Sequence, residues 1–293
     1  MKKILITGAN GFLGKGLLEK LAKDPNYEVF SLTRKKDYMR ESYPEIVHYG
    51  MDDFNANQIP FEKIDVVVHC AFARGSSGVE LSSSLEFTAE LFGKIKNNII
   101  NISSRSVYGQ NPAIPWREST PVQPDQPYAL AKFSAEQMLR LKCLQNFEGH
   151  ATNIRLAGLV GAGFEDRVVN KFVDKVINRE SIHIKGGQQM FSYLYIDDAI
   201  EGINALLKIL PRSWDFIYNF GYIRSYNILE IAGVVNDVAK QFNQPVAEII
   251  VDGSDSLVYA ELDSSLFYCK CNWHPEYDMK YIVEKIFESK LMR

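Results

Sequence analysis

Tyr128 and Lys132 stand four positions apart in "PYALAK", so on a helix a phenol and an ammonium project from one face, one turn apart. A phenol ionises only at pH about 10 and is a poor proton shuttle at neutrality, but a cation held beside it favours the phenolate. Such a pair could move a proton on and off a substrate oxygen. The spacing recurs at Tyr281 and Lys285 in a chain with 15 tyrosines, so position along the chain has to decide which pair matters. A second constellation is glycine: Gly8, Gly11 and Gly14 follow the apolar run Ile4-Leu5-Ile6. Inside an element each glycine costs about 0.5–1 kcal/mol relative to alanine, so a cluster at a junction implies that something approaches the backbone closely. In "TGANGFLG" a strand turns into a helix whose free N–H groups and dipole attract phosphate, while the third glycine lets helix and strand pack. This is the context of a dinucleotide-binding turn.

The elements that must carry these groups follow from the apolar pattern. Short β-branched runs predict strands over Lys3–Thr7, Glu28–Leu32, Ile46–Tyr49, Asp65–His69, Asn98–Ile102 and Thr152–Leu156. Apolar positions three and four apart predict helices over Gly11–Lys23, Val79–Lys96 and Pro127–Phe147. Right-handed crossovers between such strands give a doubly wound parallel α/β sheet of the Rossmann type. Further on, Phe164–Asn178, Asp197–Leu210, "NILEIAGVVNDVAKQF" and Met279–Lys290 read as helices and "FIYNFG" as a strand. The expected division is a dinucleotide-binding domain over 1–163, with 186–221 returning to it. Residues 164–185 and 222–293 would form a smaller mixed substrate-binding lobe.

The chain of 293 residues has a net charge of −3, which offers no attraction for nucleic acid or an anionic membrane. The apolar stretch after Met1-Lys2-Lys3 stops at Thr7, short of a signal sequence, and no later segment approaches a membrane span. Cys70, Cys143, Cys269 and Cys271 are too few and scattered for a disulfide framework, and the five histidines show no metal-ligand spacing. These features predict a cytoplasmic protein with free thiols and no metal, in which His69 serves packing. Trp116 and Trp273 are candidates for either pocket walls or core.

Taken in order, "TGANGFLG", "VVVHCAFA", "NISSRSVYG", "YALAK", "RLAGLVGAG", "YLYIDDAIEGI", "NFG" and "NWHPEY" resemble the extended short-chain dehydrogenase/reductase family of NAD(P)-dependent nucleotide-sugar epimerases, dehydratases and reductases. The resemblance spans nearly the whole chain and implies a catalytic set of Ser104, Tyr128 and Lys132. Tyr128 would exchange the proton of the substrate oxygen, Ser104 would hydrogen-bond that oxygen, and Lys132 would supply positive charge and bond the nicotinamide ribose. Ser103 and Ser106 are expected to be structural. It also implies a cofactor site of Gly8, Asn10, Gly11, Phe12, Leu13 and Gly14, joined by Cys70, Ala71 and Ala73 and by an acidic contact to adenine from Asp52 or Asp53.

In nicotinamide-binding folds a carboxylate at the end of the second strand binds the ribose hydroxyls and repels a 2′-phosphate. Thr33 occupies that slot, followed by Arg34, Lys35 and Lys36. Arg34 and Lys35 therefore predict NADP in preference to NAD, with a solvated basic turn as the alternative. Relatives that dehydrate a hexose carry Asp-Glu just after the position of Ser104, and Arg105-Ser106 stands here, so 4,6-dehydration is not expected. Reduction of a keto group is the leading expectation, with a nucleotide-sugar 4-epimerase and a non-catalytic NAD(P) sensor as alternatives. The substrate side departs from the pattern. Gly158 replaces an asparagine, Phe191 replaces an arginine that contacts phosphate, and no arginine lies in "DGSDSLVYAE". Either Arg105, Arg117, Arg167 or Lys171 contacts substrate in their stead, with Phe191 lining the site, or the substrate is not a nucleoside diphosphate sugar. The resemblance further implies a homodimer through the helices matching Val79–Lys96 and Pro127–Phe147.

Overall fold

Runs rich in Ile, Val and Leu form the strands, and amphipathic stretches between them form the helices, in a computed structural model that describes residues 1–75, 77–253 and 260–292. In chain order the first elements are β1 (Lys2–Thr7), α1 (Phe12–Leu21), β2 (Tyr27–Leu32), α2 (Lys36–Ser42), β3 (Val47–Tyr49), α3 (Met51–Asn55), β4 (Val66–His69) and α4 (Gly78–Lys94). Next come β5 (Asn98–Ser104), α5 (Pro127–Leu144), β6 (Ala151–Leu156), β7 (Gly158–Val160), α6 (Val168–Ile177), β8 (Ile182–Lys185), β9 (Met190–Phe191) and β10 (Tyr193–Tyr195). The chain continues with α7 (Ile196–Lys208), β11 (Ile217–Phe220), β12 (Tyr226–Asn227), α8 (Ile228–Gln241), β13 (Ile249–Asp252), α9 (Ser265–Cys271) and α10 (Met279–Leu291).

Seven strands form the main sheet in the order β3-β2-β1-β4-β5-β6-β11. The pairs among β1 to β6 are parallel, with Ile4 opposite Val29 and Val66, and Ser103 opposite Arg155. Ile4, Leu5 and Ile6 are fully buried, as a parallel strand covered on both faces requires. Strand order reverses between β1 and β4, and the crevice outside the carboxyl ends of those two strands is where doubly wound sheets bind ligands. The expected α/β fold with a Rossmann-type sheet is therefore present.

The chain divides into two compact units, Met1–Gly109 with Val122–Leu156 and Ile200–Tyr218, and Gln110–Pro121 with Ala157–Ala199 and Asn219–Arg293. Below the sheet of the first unit, Phe30, Phe54, Phe61, Leu91, Phe92 and Leu139 belong to one buried cluster. The second unit packs α6, α8 and α10 around Phe172, Val176, Ile231, Val235, Ile282 and Phe287. Its sheets have two strands each, β10-β7, β12-β9 and β13-β8. Gln110–Pro121 belongs to this second unit because fully buried Trp116 exchanges backbone hydrogen bonds with Glu261 and Asp263, at 2.8 Å each. The tryptophan is thus core; Trp273 packs on the rings of Phe220 and Phe267.

The helix expected from Phe164 begins only at Val168, because Phe164 and Arg167 donate to Gly161 and Phe164 carbonyls in successive turns. No helix among the described residues is long and apolar enough to cross a membrane. The segment "DGSDSLVYAE", where an arginine is expected and absent, lies largely outside the described residues, at Ser254–Tyr259.

Candidate active site

The β1–α1 junction explains its glycines by contact. Gly8 has φ of +68°, and a Cβ there would lie 2.8 Å from the backbone of Ala71, at the end of β4. A Cβ on Gly14 would come within 2.3 Å of the Gly8 carbonyl oxygen, so only glycine lets α1 pack this close to the strand end. Gly11 caps α1 and brings no side chain to satisfy the first-turn N–H groups. The backbone is therefore shaped to take an anion at the helix start, and the residues present fit a dinucleotide pyrophosphate. Phe12 and Leu13 open α1, the first half-buried and the second buried. Asn10 is exposed, yet its side-chain oxygen accepts from the Thr33 hydroxyl at 2.6 Å and ties the turn to the end of β2.

Past Thr33 the chain turns basic. Arg34 and Lys35 are exposed, whereas Lys36 is committed to Asp53, 2.5 Å away. Asp53 also accepts the Gly50 backbone N–H at 2.7 Å, and the Lys36 ammonium followed by that N–H holds its carboxyl below the usual range. Of the two aspartates considered for adenine, Asp53 is thus engaged in holding the start of α3, and Asp52 is exposed beside it.

At the end of β4, Cys70, Ala71 and Ala73 are half-buried, with Ala71 N–H on the Thr7 hydroxyl at 3.3 Å and Ala73 N–H on the Ser84 hydroxyl at 3.0 Å. His69 is fully enclosed between the hydroxyls of Thr7 (2.8 Å) and Thr88 (3.0 Å). Burial, and secondarily the Lys132 charge, pushes its imidazole down to about 3, so it serves as a neutral link between β1, β4 and α4. Burial pushes the Cys70 thiol up to about 12.

The structure brings Ser104, Tyr128 and Lys132 into one unit, the serine closing β5 and the other two in the first two turns of α5. Pro127 at the first helical position presets the backbone there, and Tyr128 follows it in the first turn. The Ser104 hydroxyl accepts the Ser106 N–H at 3.2 Å and the Ser106 hydroxyl at 3.0 Å, which orients it from the following turn. Lys132 is only 5% exposed; its Nζ donates to the Ile102 carbonyl at 2.8 Å and lies 5.9 Å from the Tyr128 ring centroid. Burial pushes this ammonium down to about 7, opposed by Cys70 and Glu136.

Four residues near this site escaped the sequence reading. The ring of Phe72, between Ala71 and Ala73, lies 4.0 Å from Lys132 Nζ and meets the Tyr128 ring edge-on at 6.3 Å. Beneath the site, buried Glu136 accepts from Arg155 at 2.7 and 3.0 Å and from Ser103 at 2.6 Å, and Arg155 also donates to the Tyr108 hydroxyl at 3.0 Å. One signal was available: Glu136 continues the face of Tyr128 and Lys132 at steps of four, where a charge must find a partner.

The substrate candidates divide between the two units. Arg105 is half-buried directly after Ser104, in the first unit. Arg117, Arg167 and Phe191 belong to the second unit. There Arg117 is exposed and pairs with Asp263 at 3.2 Å, Arg167 lies 4.6 Å over the Phe164 ring, and Phe191 stacks on Tyr193 at 5.9 Å. Tyr193 also covers Gly158, where a Cβ would come within 3.2 Å of its ring.

A glycine-lined strand–helix turn, a reversed strand order and a Ser/Tyr/Lys set beside it define a nucleotide-dependent enzyme of the short-chain dehydrogenase type. The model of the NAD dependent epimerase/dehydratase family matches residues 4–221, and the chain belongs to that family. It is 25% identical over 291 residues to a trifunctional UDP-glucose 4,6-dehydratase/UDP-4-keto-6-deoxy-D-glucose 3,5-epimerase/UDP-4-keto-L-rhamnose-reductase of Arabidopsis thaliana, spanning 89% of this chain but 41% of that longer protein. Among solved structures, UDP-N-acetylglucosamine 4-epimerase from Bacillus cereus superposes with a TM-score of 0.82 at 23% identity, over 98% of this chain and 99% of that one. UDP-glucuronic acid 4-epimerase from the same organism, in complex with UDP-glucuronic acid and NAD, gives 0.81 at 22% identity over 99% and 100%.

Proposed function

We propose that this protein reduces the keto group at C4 of a sugar nucleotide, using NADPH. The observation that carries the reading is the buried Lys132 ammonium beside the Tyr128 ring, at the carboxyl ends of the strands. Bound at the β1–α1 turn, the nicotinamide dinucleotide would supply the hydride. Gly8, Gly11 and Gly14 would hold its pyrophosphate, and Lys132 would bond its ribose. Tyr128, beside the Lys132 charge, gives its proton to the substrate oxygen, and Ser104 donates a hydrogen bond to that oxygen as charge develops on it.

Thr33 in place of a carboxylate, followed by exposed Arg34 and Lys35, supports a 2′-phosphate and hence the reductive direction. Arg105-Ser106 offers no acid and base for dehydration. Arg105, Arg117 and Arg167 are the proposed contacts to the substrate phosphates, and Leu130, Leu141 and Leu144, exposed on α5, support a homodimer. A second reading, an NAD-dependent 4-epimerase, is favoured by the two Bacillus cereus structures.

Calorimetry with each dinucleotide separates the two. The proposal expects NADP to bind at least about tenfold more tightly than NAD, a difference near 1.4 kcal/mol, and Thr33→Asp to erase it. Tighter binding of NAD by the unmodified protein, with interconversion of sugar nucleotides and no net oxidation of reductant, would establish the epimerase instead.

A further inference from the structure

Lys132 is a buried cation whose nearest carboxylate is already taken. Glu136, one turn further along α5, has both oxygens occupied by Arg155 and one shared with Ser103. Among the described residues no carboxylate pairs with Lys132, and its Nζ makes one hydrogen bond, to the Ile102 carbonyl of β5. The other titratable groups around it offset the effect of burial only in part. His69 and Cys70 at the end of β4 are kept neutral by burial, and Tyr128 stands on the same helix.

What does face the ammonium is the ring of Phe72, 4.0 Å from Nζ to the centroid and on the loop that follows β4. An ammonium within about 6 Å of an aromatic face is attracted by the ring quadrupole, and more strongly when desolvated. The same ring meets Tyr128 nearly perpendicular, at 81°. Phe72 therefore touches both members of the proton-transfer pair.

We propose that Phe72 is a positioning residue: its face replaces a carboxylate as the counter-group of the Lys132 ammonium, and its edge contact keeps the Tyr128 phenol within reach of the same charge. The inference rests on the proposed roles of Tyr128 and Lys132. A carboxylate at that place would bind the ammonium tightly and cancel its field at the phenol, whereas a ring holds the cation and leaves its charge uncancelled. That arrangement suits a lysine that must act on its neighbour.

The test is an NMR titration of isotope-labelled lysine in the cofactor-free protein, with the Lys132 signal assigned by its loss in Lys132→Met. Phe72→Leu should lower the Lys132 titration midpoint by about 0.5–1.5 pH units, and Phe72→Tyr should restore it. The alkaline limb of the kcat profile should move with it in Phe72→Leu, while KM for the sugar nucleotide stays unchanged. An unchanged midpoint in Phe72→Leu, or a tyrosine that fails to restore it, overturns the inference. Full turnover by Tyr128→Phe would instead overturn the reaction proposed above, while the NMR midpoint reports on Phe72 independently.

Discussion

Among the described residues two cations lie buried in the first unit, and they are held in opposite ways. Arg155 on β6 is 3% exposed and every hydrogen bond it makes is to a matched partner, two to Glu136 and one to Tyr108. Lys132, one turn before Glu136, is 5% exposed and has a carbonyl and two rings. Fork-shaped pairing with a carboxylate fixes a guanidinium in place and removes it from chemistry. A lysine without a carboxylate keeps a proton that is easily lost, and a charge that still acts on its surroundings. The first arrangement ties α5 to β5 and β6, and so places the helix that carries the second.

The comparison can be broken from the structural side first. Glu136→Leu leaves the Arg155 guanidinium buried without its partner and should destabilise the protein by about 3–5 kcal/mol, read as a lowered denaturation midpoint in urea. On the other side, Lys132→Met removes a buried cation that has no carboxylate. It should raise stability near pH 6 by roughly 3 kcal/mol while abolishing turnover. Equal destabilisation by both substitutions would mean that the two cations serve the same structural end.

A smaller effect separates them by pH. The Lys132 ammonium is pushed down to about 7 from an ordinary value near 10.5, so between those limits the unfolded chain binds the extra proton. The penalty for burying the charge is present below pH 7 and fades as pH rises toward 10. The stability gap between the wild type and Lys132→Met should therefore close over that window, and a gap independent of pH would show that Lys132 keeps its proton throughout.

Backbone demands were legible in the sequence. Gly8 and Gly14 meet main chain at distances no side chain tolerates, so their spacing after a buried strand carried the meaning alone. The long crossover helices and the parallel strands announced themselves by period. The two- and three-residue pieces β9, β10 and β12 are too short for alternation to register. Of the Glu136–Arg155–Ser103 cluster only Glu136 left a signal, for a different reason. The cluster depends on β5 and β6 lying side by side in the register that sets Ser103 opposite Arg155, which is a property of the sheet and not of any segment. Phe72 was hidden by its neighbours, since "HCAFA" directs attention to the small residues that let a cofactor approach. For Arg117 and Arg167 only residue type was legible, and the local partners the structure supplies, Asp263 and the Phe164 ring, could not be read from the sequence.

The most direct measurement follows oxidation of NADPH by the purified protein on mixing with a 4-keto sugar nucleotide, in the wild type and in Tyr128→Phe. The account predicts stoichiometric oxidation by the wild type and a rate about 10²–10⁴-fold lower in the variant, with dinucleotide affinity unchanged. Oxidation at an undiminished rate by Tyr128→Phe would contradict it.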